Sequence, residues 1–205
     1  MKSPNLNTRA QLLLAKKISQ MSATMQEAAA NGELKYTDGY YFKRYQLPTS
    51  ASGMQDILLN DDSQKDGYCS LSKQKINQGC AFMADRFTFK VYAVATSSLA
   101  GADAGTVPYG TVSAAATTIP ILACAELEMT VNGERMWMAP VNTFNHETIN
   151  ANSDKDGMNV SAPVFVNDEQ LLQFRLHLPQ GKSIDSTMSV FVEVCMYGAE
   201  CRVTR

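Results

Sequence analysis

The residues able to do chemistry are few and scattered. Asn152-Ser-Asp154-Lys-Asp156-Gly157 follows the first half of a calcium loop, in which alternate oxygen ligands precede a glycine turn. The twelfth position, which should supply a bidentate Glu, is Pro163. Asp62-Ser-Gln64-Lys-Asp66-Gly67 repeats the pattern and reaches Lys73 at that position. Both stretches read as polar loops, which Asn, Asp and Gly form without an ion. His146 lies beside Glu147 in a polar loop, and His177 lies on a strand-like run, opposite Leu176 and Leu178. No nucleophile, base and orienting acid converge in a recognised spacing, and GxSxG, HExxH and phosphate-cradling glycine loops are missing. The chain is therefore not read as an enzyme, and no cofactor, metal ion or small-molecule substrate is expected. Glu126 and Glu128 share one strand face, as a glycosidase pair would. Arg135 on the next strand makes a cross-strand ion pair the simpler reading.

Tyr40, Tyr41 and Tyr45 interleave with Lys43 and Arg44. Such a run suits a single-stranded nucleic-acid platform. It equally suits a protein interface, where Tyr and Arg are enriched. The formal net charge of -2 favours the interface reading, because no global field marks a nucleic-acid binder.

Two kinds of element must position these residues. Residues 1–32 read as an amphipathic helical arm, with the helix over Arg9–Ala30 and Thr8 as its N-cap. Leu14, Ile18, Met21, Met25 and Ala28 recur every three or four residues, giving one apolar stripe that fits a single groove. Asn31-Gly32 is a fitting stop. Lys2, Arg9, Lys16 and Lys17 against Glu27 give the arm a net charge of +3, leaving -5 for the rest.

Residues 33–205 read as an all-β body. Phe87, Phe89, Val91, Ala93 and Ala95 alternate with Thr88, Lys90, Tyr92 and Val94. Ile119–Val131 reads as a second strand region, continued through an Asn132-Gly133 hairpin turn into Glu134–Val141. Val160–Val166 suits an edge, because Pro163 lacks a donor. Leu172–Leu178 and Met188–Met196 alternate again. Seven or eight strands with no helical pattern between them favour an antiparallel sandwich or barrel over any βαβ fold, and the longer loops suit a single jelly roll better than a tight meander.

The 205 residues, 45% hydrophobic and 19% charged, suffice for one sizeable core. Leu12–Ala15 is too short for a signal-peptide core, and no stretch reaches a membrane span. Five cysteines without a CxxC pair read as free, mostly buried thiols.

This layout resembles capsid and other virion proteins of icosahedral viruses, especially tailless bacteriophages. The arm Arg9–Ala30, the strand entry Ala84-Asp-Arg86-Phe-Thr-Phe89, and the closing run Phe174–Arg205 with its Pro179-Gln-Gly181 turn carry the likeness. The length allows one jelly roll, not the double roll of many major capsid proteins, so major, vertex and minor roles stay open. The resemblance implies a structural subunit of the virion, assembled in the host cytoplasm with copies of itself and other virion proteins. It implies subunit contacts through Leu14, Ile18, Met21, Met25, Tyr40 and Tyr41. Lys2, Arg9, Lys16 and Lys17 would then face the inner surface, toward the genome or a membrane. The alternative is a jelly-roll module that binds a carbohydrate or receptor, with Trp137, Tyr92 and Tyr197 as its exposed aromatics.

Overall fold

The computed structural model describes residues 8–99, 101–110, 119–144 and 157–204. Among these, eight strands form two antiparallel four-stranded sheets packed face to face, the β-sandwich expected from the alternating runs. The strands are β1 (Leu34–Gln46), β2 (Met54–Asp56), β3 (Cys80–Ala95), β4 (Glu126–Val131), β5 (Glu134–Pro140), β6 (Met158–Asn167), β7 (Leu172–His177) and β8 (Met188–Val203). The long sheet runs β1-β8-β3-β6 and the short sheet β2-β7-β4-β5. Pairing is nested: β1 with β8, β2 with β7, β3 with β6, and β4 with β5. The β3–β8 and β4–β7 ladders join these pairs into sheets.

At 16 residues each, β3 and β8 reach about 50 Å and form the spine of the molecule. Val190, Val192, Val194 and Met196 of β8 face the core with Phe82, Ala84, Phe87, Phe89 and Val91 of β3. The step from Ala84 to Phe87 breaks strict alternation. Opposite β8, Ala84 pairs with Gly198 and Arg86 with Tyr197, so Asp85 is an extra, bulged residue. From the short sheet come Leu127, Met129, Val131, Leu172, Phe174 and Leu176. The β4–β5 turn is the hairpin that Asn-Gly predicts, with φ of 51° at Asn132 and 80° at Gly133. β6, with Pro163, lies at the edge of its sheet.

Two expectations are corrected. Ile119–Ala125 does not continue β4, because Pro120–Ala123 forms a single helical turn. Pro120 occupies its first turn, where a missing N–H costs nothing. The N-terminal helix is not continuous either. It divides into α1 (Thr8–Ala15) and α2 (Ala23–Ala30), separated by a 3-10 turn at Ile18–Gln20. Met21 is extended with ψ of 167°, and Ser22 takes the N-cap position of α2. Serine favours that position over a helix interior.

The stripe on these helices is buried, but against this chain. Ala10, Leu14, Met21 and Met25 pack on Ala81, Met83, Ala199 and Cys201 of the long sheet's outer face, with Ile18 partly buried beside them. The neighbouring subunit anticipated for Leu14, Ile18, Met21 and Met25 is thus replaced by the chain's own sheet. The physical reason is that β3 and β8 offer an outward row of small and thioether side chains that needs cover. Arg9 donates to the Ser161 carbonyl at 2.9 Å, and the Asn167 side-chain amide donates to the Gln20 carbonyl at 3.0 Å.

Candidate interaction surface

The outer face of the long sheet has apolar cover at two places. The N-terminal helices cover one. At the other, Ala104 and Val107 of the 99–110 segment pack on Phe191, with Tyr68, Tyr92, Val94, Leu99 and Tyr109 around them. Between the two lies a groove of about 570 Å³, lined by residues that include Tyr40, Phe42, Arg44, Glu193, Cys195 and Tyr197.

The alternation of β1 sets this groove. Tyr40, Phe42 and Arg44 share the outward face, and Tyr40 pairs in register with Tyr197. The result is a ladder of rings and guanidinium groups. Arg86 lies 4.4 Å over the Tyr197 ring. Tyr197 and Tyr40 stack at 6.1 Å between centroids, and Tyr40 and Phe42 also at 6.1 Å. Arg44 then sits 5.4 Å from Phe42 and 5.1 Å from Tyr109. Tyr40, at its centre, is 60% exposed.

The ladder is held from below. Arg44 donates to Glu193 at 2.7 Å and to the Gly67 and Gly105 carbonyls at 2.9 and 3.3 Å. The Tyr109 hydroxyl donates to the Ala104 carbonyl at 2.7 Å. Burial pushes the Tyr197 hydroxyl up to about 12, the neighbouring Cys195 adding to the rise, so Tyr197 stays neutral. Arg44 and Tyr109 are thereby ordered by hydrogen bonds, with the rings of Phe42, Tyr40 and Tyr197 beside them.

The expected site residues separate. Tyr40 is accessible, but Tyr41 is not. It points into the core at 3% exposure, edge-on to Phe82 at 5.1 Å, with its hydroxyl donating to Glu200 at 2.9 Å. Adjacent strand residues face opposite ways, so the two could never share one surface. Arg9 and Lys16 are exposed and Lys17 is half-buried, whereas Lys2 lies outside the described residues. Trp137 packs on Phe87 at 4.8 Å, and Tyr92 packs on Phe191 at 6.3 Å, leaving Tyr197 as the one member of the expected aromatic row in the groove. Phe42 and Arg86 were not anticipated as site residues. The partner of Arg86 lies on another strand, and for Phe42 only its i, i+2 spacing from Tyr40 and Arg44 hinted at a row.

The polar candidates are engaged structurally. Glu128 accepts from Arg135 at 2.8 Å and bonds His177 at 2.7 Å, the cross-strand arrangement anticipated for Arg135. Asp62 pairs with Lys43 through one oxygen and accepts the Leu59 N–H at 2.7 Å through the other. Asn152–Asp156 and His146 lie outside the described residues. No protein-family model, curated protein or solved structure matches this chain.

Proposed function

We propose that the sandwich is a jelly roll and that the chain is a structural virion protein. It assembles with copies of itself and other virion proteins, carrying residues 1–32 as a helical arm. The observation that carries this reading is the nested pairing of first strand with last, second with seventh, third with sixth, and fourth with fifth. That order arises when one long antiparallel ribbon wraps around a core, the jelly-roll route used by viral capsid and lectin domains.

The ladder favours assembly over sugar binding. Tyr and Arg anchors that are already ordered lose little side-chain entropy on docking. Tyr40 is flanked by the Tyr197 and Phe42 rings, each 6.1 Å away between centroids. The row of three rings still gives the carbohydrate-binding alternative its own basis. Sedimentation velocity and electron microscopy of the purified chain separate the two. Discrete oligomers or closed particles that Tyr40→Ala reduces to monomer support assembly. A chain that stays monomeric and binds a glycan array through Tyr40 overturns it.

A further inference from the structure

A second cavity lies at the end of the sandwich, away from the ladder. It is a cleft open to solvent, of about 1140 Å³, between the start of β1, the 72–80 loop, the end of β8, the 168–169 turn and the break between α1 and α2, with Lys35, Lys73 and Arg202 exposed along it. Lys35, Lys73, Lys75 and Arg202 line it, against Asp168 and Glu169. Four cations and two carboxylates leave a local net charge of +2 on a chain of net charge -2. None of the four cations takes part in an ion pair among the described residues. Asp168 accepts the Gly79 N–H at 2.6 Å through Oδ2, while its buried Oδ1 has no partner among the described residues.

Two local arrangements here are unfavourable without a ligand. The first is on the sheet. Lys35 and Arg202 stand directly opposite each other on β1 and β8, and like charges in that relation repel. The second is in the turn that carries Lys73 and Lys75. Ser72 and Lys75 exchange both backbone hydrogen bonds, at 3.0 and 2.9 Å, around a two-residue turn. Its central residues, Lys73 and Gln74, have φ of 49° and 62°. Asn-Gly suits such a turn and Lys-Gln does not. The strained turn is nevertheless held rigidly. The Lys73 N–H donates to the Asp62 carbonyl at 2.7 Å, the Gln74 side-chain amide to the Leu58 carbonyl at 3.0 Å, and the Leu172 N–H to the Gln74 carbonyl at 2.7 Å. A rule broken locally and supported from three sides marks a position kept for something other than folding.

The far wall adds donors. Ser22 and Thr24 begin α2, whose first backbone N–H groups favour an anion. Ser22 makes no capping bond, and its buried hydroxyl, on a residue 7% exposed, has no partner among the described residues. Among the described residues no aromatic side chain lines the cavity, so none of them stacks a base there. Asp168 and Glu169 oppose an anionic polymer threading through. A compact anion needs to meet fewer of these groups than a polymer does.

We propose that this cavity binds a compact, multiply charged phosphate compound, with Lys35, Lys73, Lys75 and Arg202 as its ligands. The inference does not rest on the assembly reading. The probe is inorganic tripolyphosphate, titrated calorimetrically into the full chain at low and high salt. Saturable binding is expected, weakening as salt rises, and about tenfold weaker in Lys73→Asn and in Arg202→Gln. Both variants are also expected to raise the melting temperature of the free protein, since one suits the left-handed turn and the other removes the repulsion of Lys35. That opposition of stability and affinity separates a binding role from a structural one. Two further arms fix the source of the phosphate. Phosphatidylcholine vesicles containing a phosphoinositide, if bound and displaced by tripolyphosphate, support the site and assign it to a lipid headgroup. An oligothymidylate bound in preference to tripolyphosphate overturns the ligand class. Absence of saturable tripolyphosphate binding at low salt, or binding indifferent to both substitutions, overturns the site.

Discussion

The outer face of the long sheet carries apolar cover at two places, while the outer face of the short sheet carries polar side chains that satisfy one another. On the short sheet, Glu128 binds Arg135 and His177, Arg175 reaches Asp56 at 3.0 Å and Gln173 at 2.9 Å, and Thr130 bonds Gln173 at 3.1 Å. That face can meet water as it stands. The long sheet is apolar on both sides for much of its length, as in sheets that are covered twice. Its outer cover forms a satellite core around Leu14, Met21 and Met25, distinct from the main one. The chain thus has a central core that defines the sandwich and a second that fastens the N-terminal helices to it.

Substitutions in the two cores should separate them. The largest effect is expected from Phe82→Ala, which empties a fully buried site on the inner face of β3. A loss of about 4 kcal/mol in urea unfolding is expected, with all probes melting together. Leu14→Ala should cost about 3 kcal/mol locally. Its effect on the whole molecule is limited, because the N-terminal helices can lift while the sandwich survives. Cysteine labelling reads this directly. Cys201 lies beneath the helices, its thiol raised by burial to about 11, whereas Cys69 lies in the main core. Leu14→Ala should speed labelling of Cys201 and leave Cys69 protected. Simultaneous exposure of both thiols would mean that the cores are one cooperative unit.

The polar face of the short sheet responds to pH instead. Burial alone would raise the Glu128 pKa, but hydrogen bonds from Arg135 and His177, with their charges, bring it below the ordinary glutamate value. A lowered folded-state pKa contributes stability that is full above the unfolded value of about 4.3 and is lost as pH falls through the folded one. Glu128→Gln should therefore cost about 2 kcal/mol at pH 7. The gap to the parent should close in strongly acidic solution, as parallel urea titrations would reveal. A gap independent of pH would assign the cost to packing alone. The smallest effect on stability belongs to Tyr40→Ala on the long sheet, within about 0.5 kcal/mol, while its effect on oligomer size should be the largest of the set.

Much of this fold was legible in alternation. β3, β7 and β8 repeat with period two, and Asn132-Gly133 marked its hairpin. The nested pairing was not, because nothing local in Tyr40 records that Tyr197 is its register partner. The same distance hid the ladder and the cationic cavity, whose members come from segments far apart in sequence. The break at Ser22 was masked for a different reason. The stripe from Leu14 to Met25 keeps helical spacing across it, since the two helices follow one sheet surface with one apolar side. Pro120 did signal a helical first turn, but the apolar run around it read more strongly as a strand.

The bulge at Asp85 acts as a phase shifter. Before it, even-numbered residues of β3 face the sandwich and odd-numbered ones face the helices; after it, the parity is exchanged. Deleting that single residue would close the ladder into regular pairing, with Ala84 and Arg86 adjacent opposite Gly198 and Tyr197, and every other residue of β3 would keep its face. Phe82 and Phe87 would still face the main core and Met83 the helices, so the one surplus residue lets numbering parity change along β3 while both cores stay matched to their own sides.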